Sequence, residues 1–241
     1  KPFHLVLLAK NLNGYHNLIK IVSSAYHPGY SDANPPIINS DTLRTLASDL
    51  FVFSSCQWGE LGFLLKQRRA NPQDDMIRTL LQNYANQMRE WFGENFYVEL
   101  IANDLAGQDI LLNDHSAFAN HYKFPLIATA DAHYATQKEK EAHVILTGIK
   151  NELTEADLMR RTQDYDFHLF APEEMLKKYQ RWPEALANIK KVVDECNVEL
   201  NFKNVYLPKF DLGTGEDAND GLRRLAREGL EVRMQNFAKV Y

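Results

Sequence analysis

The chain has 241 residues, of which 45% are hydrophobic and 24% are charged, with a formal net charge of −5. Apolar residues along the whole length exclude a disordered chain, and the length is sufficient for one large α/β domain or for a medium domain with an appendage. The acidic balance argues against a stand-alone nucleic-acid-binding protein. The 2 cysteines, Cys56 and Cys196, are too few for a disulfide framework and are typical of a reducing, cytoplasmic compartment.

No secretory signal is apparent, and no apolar run approaches the roughly 18 residues of a membrane span, so a soluble protein with no membrane contact is expected. The first residue is Lys1, and an apolar run begins almost at once. We therefore expect a piece of a longer chain.

Short apolar runs alternate with helical patterns, and they are interpreted as strands. They cover residues 3–9, 50–53, 96–101 and 125–130. Runs that are apolar on both faces are typical of parallel strands covered by helices. The succession of strand, helix and strand predicts right-handed crossovers and a parallel α/β sheet or barrel.

Helical periodicity of apolar residues fills the intervals between these strands. It predicts helices over residues 15–25, 72–92 and 110–122, and a short helix that begins at residue 40. After Tyr134 the predicted elements are helical, over residues 138–147, 154–161, 172–179 and 183–196. An irregular segment, residues 201–215, leads into a charged amphipathic helix at about residues 217–238 and marks a domain boundary.

The sharpest local feature is Asp131 and His133, which follow the fourth apolar run directly. Residues two apart in an extended chain point the same way, so both side chains can reach one ion at the strand's carboxyl end. A carboxylate and an imidazole suit a zinc-like or manganese-like ion. The alternative is that Asp131 caps the next helix while His133 packs locally.

Cys56 is the second candidate ligand, because it also ends an apolar run and can face the same rim. A lone cysteine in that position is more often a small buried hydrophobic residue. His4 is the third candidate, with weaker support because it flanks the start of its strand. The other histidines are interpreted as surface, packing or structural residues: His16, His27, His115, His143 and His168.

Other patterns favour no catalytic role. Asp164 and Asp166 have the spacing of a two-metal polymerase site, but they lie in a polar segment and are interpreted as a solvated turn. Paired arginines occur within charged stretches that are typical of solvated helix faces. No glycine-rich phosphate loop and no Gly-x-Ser-x-Gly motif is present.

An ordered series of short motifs resembles one known family. The motifs include the run from Phe3 to Asn11, Ser54-Ser55-Cys56, the run from Ile127 to Tyr134, and Pro172-Glu173-Glu174-Met175; further matches continue to residues 228–230. The series resembles the polymerase and histidinol phosphatase (PHP) domain, and more specifically that domain in the alpha subunit of bacterial DNA polymerase III, a C-family replicative polymerase. The resemblance covers essentially the whole chain.

This resemblance implies a fold and a set of ligands. The fold is a partial, distorted (β/α)7 barrel, TIM-like with parallel strands and outer helices, followed by helical segments. Residues 1–200 correspond to the C-terminal part of a PHP domain, and residues 201–241 to a linker and the start of the polymerase palm region. The metal ligands that it implies are His4, Cys56, Asp131 and His133, with zinc or manganese as the metal.

The chain also departs from the family pattern. The His-x-His motif and the other ligands that precede the position of His4 are missing, so the chain is expected to lack the start of the domain. The polymerase aspartates are also missing, and with them the magnesium site of DNA synthesis. We therefore expect weak metal binding, and neither polymerisation nor DNA degradation by this chain alone.

Three functional hypotheses follow. The first is a part of a replicative DNA polymerase, a nucleotidyltransferase by parentage, with a partial metal site for 3′–5′ phosphodiester hydrolysis. The second is a purely structural PHP module that docks the proofreading exonuclease subunit. The third is a stand-alone PHP phosphoesterase, which the tail beyond Leu207 disfavours. In the first two cases the partners are the rest of the polymerase chain, the exonuclease subunit, and DNA through other domains.

A barrel without its opening strands exposes sheet edges and apolar surface. We therefore expect the isolated chain to be marginally stable, oligomeric or dependent on further residues.

Overall fold

The protein is described by a computed structural model that covers residues 2–26, 37–103, 107–154, 156–157, 167–205, 207, 211–213 and 215–238. The chain divides into two compact units, Lys1–Glu199 and Leu200–Tyr241.

The strands of the described residues form one sheet in the order β1-β2-β3-β4. Their bounds are Val6–Ala9 for β1, Leu50–Phe53 for β2, Phe96–Ile101 for β3 and Leu126–Thr129 for β4. The pairs β2–β3 and β3–β4 are parallel, as the apolar runs predicted.

The parallel prediction is wrong for the first strand, because β1 runs antiparallel to β2. Residues of β1 alternate between exposed and half-buried, with Val6 38% and Leu8 39% exposed. Such alternation is typical of an antiparallel strand that has one solvated face. The apolar run masked this pattern, since both faces of β1 carry apolar side chains.

Helices surround the sheet in the first unit. Their bounds are α1 Leu12–Ser24, α2 Ser40–Thr45, α3 Glu60–Ala70, α4 Asp75–Phe92, α5 Gln108–Tyr122, α6 Lys140–Asn151, α7 Pro172–Lys178 and α8 Pro183–Glu195. Single 3₁₀ turns cover Gly93–Asn95 and Gln137–Glu139. The predicted helices are confirmed except the one over residues 154–161, most of which lies outside the described residues.

Helix α3 was not predicted from the sequence. Its buried residues are bunched at Leu61, Gly62, Leu64 and Leu65, and a polar run follows them. A helix with a strong three-four repeat, such as α4, is far easier to recognise. At the start of α4 the Asp74 side chain accepts hydrogen bonds from the N–H groups of Met76 and Ile77.

The sheet separates two layers of packing. Even-numbered residues of β2, β3 and β4 face the main hydrophobic core, which α3, α4 and α5 complete. Odd-numbered residues face a smaller cluster of Phe51, Phe53, Tyr97, Ile127 and Val192, the last of these from α8. The side chains of Glu99 and Thr129 continue this second face toward the carboxyl ends of β3 and β4.

The second unit contains α9, Ala218–Ala238. Arg224 forms ion pairs with Glu216 and Glu228 within this unit. None of the described helices combines the length and the apolar character that crossing a bilayer requires.

Candidate metal centre

A cavity of about 460 Å³ lies beyond the carboxyl ends of the parallel strands. Cys56 follows β2, Glu99 lies in β3 and Asp131 follows β4, and all three side chains line this cavity. Carboxyl ends of adjacent parallel strands meet at one edge of a sheet, which is where α/β proteins bind ligands. The structure therefore brings two of the predicted ligands, Cys56 and Asp131, to one cavity.

The segment that carries Cys56 turns sharply after β2. Ser55 has a φ of 68°, in the left-handed region that is costly for a residue with a side chain. The N–H of Gly59 donates to the carbonyl of Cys56 at 2.8 Å, and a Cβ on Gly59 would lie 2.3 Å from the carbonyl oxygen of Ser54. Only glycine fits at position 59, and this tight turn places the half-buried Cys56 thiol at the rim of the cavity.

Asp131 and His133 lie together after β4. The Asp131 carboxylate is 3.5 Å from Nε2 of His133, and the side chains are 38% and 47% exposed. Asp131 has a φ of 47°, a second left-handed residue at this edge of the sheet. The backbone N–H of His133 donates to the carbonyl of Phe167 at 2.8 Å, which fixes the segment.

His4 is not brought into this group. Its side chain is exposed, and it is not among the residues that line the cavity. Its backbone N–H donates to the carbonyl of Trp58 at 3.1 Å, and His4 forms a parallel bridge with Gly59. The segment just before β1 thus contacts the turn after Cys56 through its backbone.

Glu99 is a cavity residue that the sequence reasoning missed. It is only 6% exposed, and its Oε1 accepts a hydrogen bond of 2.6 Å from the Thr129 hydroxyl. Burial raises the pKa of Glu99 to about 6; the Thr129 hydrogen bond opposes this shift, the Asp131 charge adds to it, and the Ser55 backbone opposes it. The sequence does contain a signal for Glu99, because it is the single carboxylate within the otherwise apolar run of β3.

His115 is a second cavity residue to which the sequence assigns no role beyond surface or packing. It is 2% exposed, and it lines the cavity from α5. Nδ1 lies 2.8 Å from the carbonyl of Leu111, which can only accept, so Nδ1 carries the proton and Nε2 presents a lone pair. Burial lowers the pKa of His115 and favours this neutral form.

His143 contacts the Asp131–His133 pair from α6. Its ring centroid lies 5.4 Å from that of His133, and burial together with His133 lowers the pKa of His143. His27, Asp164 and Asp166 lie outside the described residues.

The donor types at this edge suit a divalent metal. Carboxylate oxygen and imidazole nitrogen bind manganese or zinc, and a thiolate favours zinc. The cavity also contains an unpartnered buried oxygen, Oε2 of Glu99. Among the described residues, however, no three His, Cys, Asp or Glu side chains form a group that could hold a metal ion. The fit is therefore partial.

Comparison with known proteins gives the class first. Residues 1–103 match the family model of the PHP domain. These residues include β1, β2 and β3, and thus His4, Cys56 and Glu99.

The chain is also similar to particular proteins along nearly its whole length. It is 31% identical over 232 residues to the DNA polymerase III subunit alpha of Pseudomonas aeruginosa, 33% over 233 residues to that of Vibrio cholerae and 30% over 232 residues to that of Escherichia coli K12. Each alignment covers 96% of this chain and 19% of the relative, so the chain spans about a fifth of these proteins. The resemblance inferred from the motifs is confirmed.

Proposed function

We propose that this chain is part of the alpha subunit of a bacterial replicative DNA polymerase, and that its cavity is one side of a divalent-metal site for 3′–5′ phosphodiester hydrolysis. The metal-site proposal rests on one observation: Cys56, Glu99 and Asp131 line the same cavity, and His133 lies beside Asp131. The assignment to a polymerase alpha subunit rests on the similarity to alpha subunits over 96% of this chain.

In this proposal Asp131, His133 and Cys56 hold the metal from the strand ends. The resemblance adds His4 to this set, although its exposed side chain does not line the cavity. A bound divalent metal would activate water and neutralise phosphate charge. The chain's own contribution is positional: left-handed turns at Ser55 and Asp131 direct their segments toward the cavity. Lys66 also lines the cavity, and its ammonium group suits a phosphate.

The proposed assignment of the units follows the resemblance. The first unit would be the C-terminal part of a PHP domain in a distorted (β/α)7 barrel, and residues 201–241 would be a linker and the start of the palm region. DNA synthesis with magnesium would belong to other parts of the polymerase chain. The proposed partners are the rest of that chain, DNA through its other domains and the proofreading exonuclease subunit, in the cytoplasm.

A structural role is the second candidate. It is favoured by the lack of three converging donors among the described side chains, because a cavity with two or three separated donors binds metal weakly. In that case the unit would stabilise the polymerase and dock the proofreading subunit without chemistry. A stand-alone phosphoesterase is disfavoured, since the similarity to alpha subunits extends over 96% of this chain.

Metal binding by variants of the 241-residue chain separates the first two candidates. Isothermal titration with Mn²⁺ and with Zn²⁺ is expected to show weak binding by the wild type. Asp131→Ala and His133→Ala should lower that affinity about tenfold or more, since each removes a ligand. His16→Ala is the matched control, because His16 is exposed on α1 and does not line the cavity.

Equal metal binding by wild type, Asp131→Ala and His133→Ala would contradict the metal-site proposal and leave the structural role. Hydrolysis of a small phosphate ester by this chain alone would instead support a stand-alone phosphoesterase.

A further inference from the structure

Glu99 is anchored from both sides of the cavity edge. Its Oε1 accepts a hydrogen bond of 2.6 Å from the hydroxyl of Thr129, which lies two residues before Asp131. The Glu99 backbone N–H donates to the Ser54 hydroxyl at 3.0 Å. Thr129 therefore holds the carboxylate beside the segment that carries Asp131, and Ser54 holds the Glu99 backbone beside the segment that carries Cys56.

The second carboxylate oxygen of Glu99 is buried and has no hydrogen-bond partner. A buried acceptor without a donor is costly, and a buried charge without a counter-charge is more so. The charge of Asp131 acts on Glu99 as well, so this edge of the cavity brings two negative groups together. Two cationic side chains also line the cavity, but Arg69 pairs with Asp114 and Lys66 is solvent-exposed.

We propose that Glu99 is a cation-binding residue, and that its free oxygen and Asp131 together bind a divalent cation in this cavity. This inference rests on the proposed function and adds a ligand to its site. A cation compensates both carboxylates at once, and it supplies the missing partner of the buried oxygen. The hydrogen bond from Thr129 restrains the Glu99 carboxylate, which lowers the entropy lost on binding.

The donor chemistry identifies the class of cation. Glu99 and Asp131 supply carboxylate oxygen, which favours manganese or magnesium over metals that prefer sulfur. The Cys56→Ser variant should therefore still bind Mn²⁺ through Glu99 and Asp131.

The test is Mn²⁺ binding and thermal unfolding of the 241-residue chain as wild type and Glu99→Gln. Glutamine keeps the shape of the side chain and removes its charge. We expect the Mn²⁺ affinity to fall about tenfold or more, and the Mn²⁺-induced rise in Tm to shrink accordingly. In EDTA the Tm of Glu99→Gln should equal or exceed that of the wild type, because a buried unpaired charge has been removed.

Glu94→Gln is the matched control, since Glu94 is an exposed residue just before β3 and does not line the cavity. Glu99→Asp is the second variant; it keeps the charge and withdraws the oxygens by one methylene, and it should also weaken Mn²⁺ binding.

If both Glu99 variants bind Mn²⁺ as tightly as the wild type while Asp131→Ala does not, Glu99 is not a ligand and the proposed function stands. If Asp131→Ala also retains full binding, the proposed function itself fails.

Discussion

The two faces of β3 differ in whether their buried side chains carry polar atoms that lack a hydrogen-bond partner. Phe96, Val98 and Leu100 are fully buried in the main hydrophobic core. On the opposite face, Tyr97 and Glu99 are also buried, yet the Tyr97 hydroxyl and one Glu99 oxygen have no partner in the structure. One strand thus carries a face that stabilises the fold and a face on which two buried polar atoms have no protein partner.

This difference indicates that the edge of the sheet beside the cavity contributes less to the stability of the fold than the core face does. Unpartnered polar groups and left-handed residues concentrate where ligands bind, because the compensation comes from outside the chain. Ser55 and Asp131 have positive φ angles, and both line the same cavity as Glu99. The core face of β3 has neither feature.

The largest effect is expected on the core face. Leu100→Ala removes a fully buried side chain and leaves a cavity, so the free energy of unfolding should fall by about 3–4 kcal/mol. Chemical denaturation measures this change. Leu146→Ala, at a side chain 66% exposed on α6, should cost well under about 1 kcal/mol; equal losses for the two variants would contradict the distinction.

A matched pair of tyrosines tests the satisfaction of polar groups. The Tyr179 hydroxyl accepts from the Ala102 N–H at 2.8 Å and lies 2.9 Å from the carbonyl oxygen of Leu100 and 2.5 Å from that of Thr129. Tyr179→Phe should therefore cost about 2 kcal/mol, because it leaves buried backbone groups unpaired. The same change at Tyr97 removes an unpartnered hydroxyl and should be neutral or slightly stabilising.

Denaturation curves of the two variants measure this prediction directly. A loss at Tyr97→Phe as large as that at Tyr179→Phe would mean that the Tyr97 hydroxyl has a partner after all.

The smallest effect concerns pH. Burial lowers the pKa of His115, a shift that its contact with the Leu111 carbonyl and the charge of Asp114 oppose. Below about pH 6.5 the unfolded chain therefore binds a proton that the folded chain does not. Stability should fall as the pH decreases through this range, by at most about 1.4 kcal/mol per pH unit for this group.

His115→Asn keeps an N–H near the position of Nδ1 and cannot titrate, so it should flatten this part of the pH dependence. His121→Asn, an exposed change on the same helix, should leave the dependence unchanged. An identical pH profile for wild type and His115→Asn would contradict the buried neutral form.

The sequence predicted most of the fold because its signals are strong and local. The α4 repeat and the apolar runs of β2, β3 and β4 identify their elements unambiguously. Strand direction depends on how the chain connects neighbouring strands and is not encoded within a strand, so the antiparallel pairing of β1 with β2 was missed. Helix α3 was not predicted because its buried residues are clustered near one end, without a three-four repeat that continues along the helix.

The candidate site was predictable in part. The structure brings Cys56 and Asp131 to one cavity, as expected of residues that follow parallel strands and so share an edge of the sheet. Glu99 and His115 were missed because their importance comes from burial and from an unsatisfied atom, and neither property can be read from an isolated run of letters. The roles of His4, Cys56, Asp131 and His133 as metal ligands all stay predictions.

The most direct test of the central claim is anomalous diffraction from crystals of the chain soaked with Mn²⁺. We predict one anomalous peak in the cavity at the strand ends, within coordination distance of Asp131 and Glu99. The absence of any peak there, with Mn²⁺ bound elsewhere or not at all, would contradict the claim that these strand ends form a metal site.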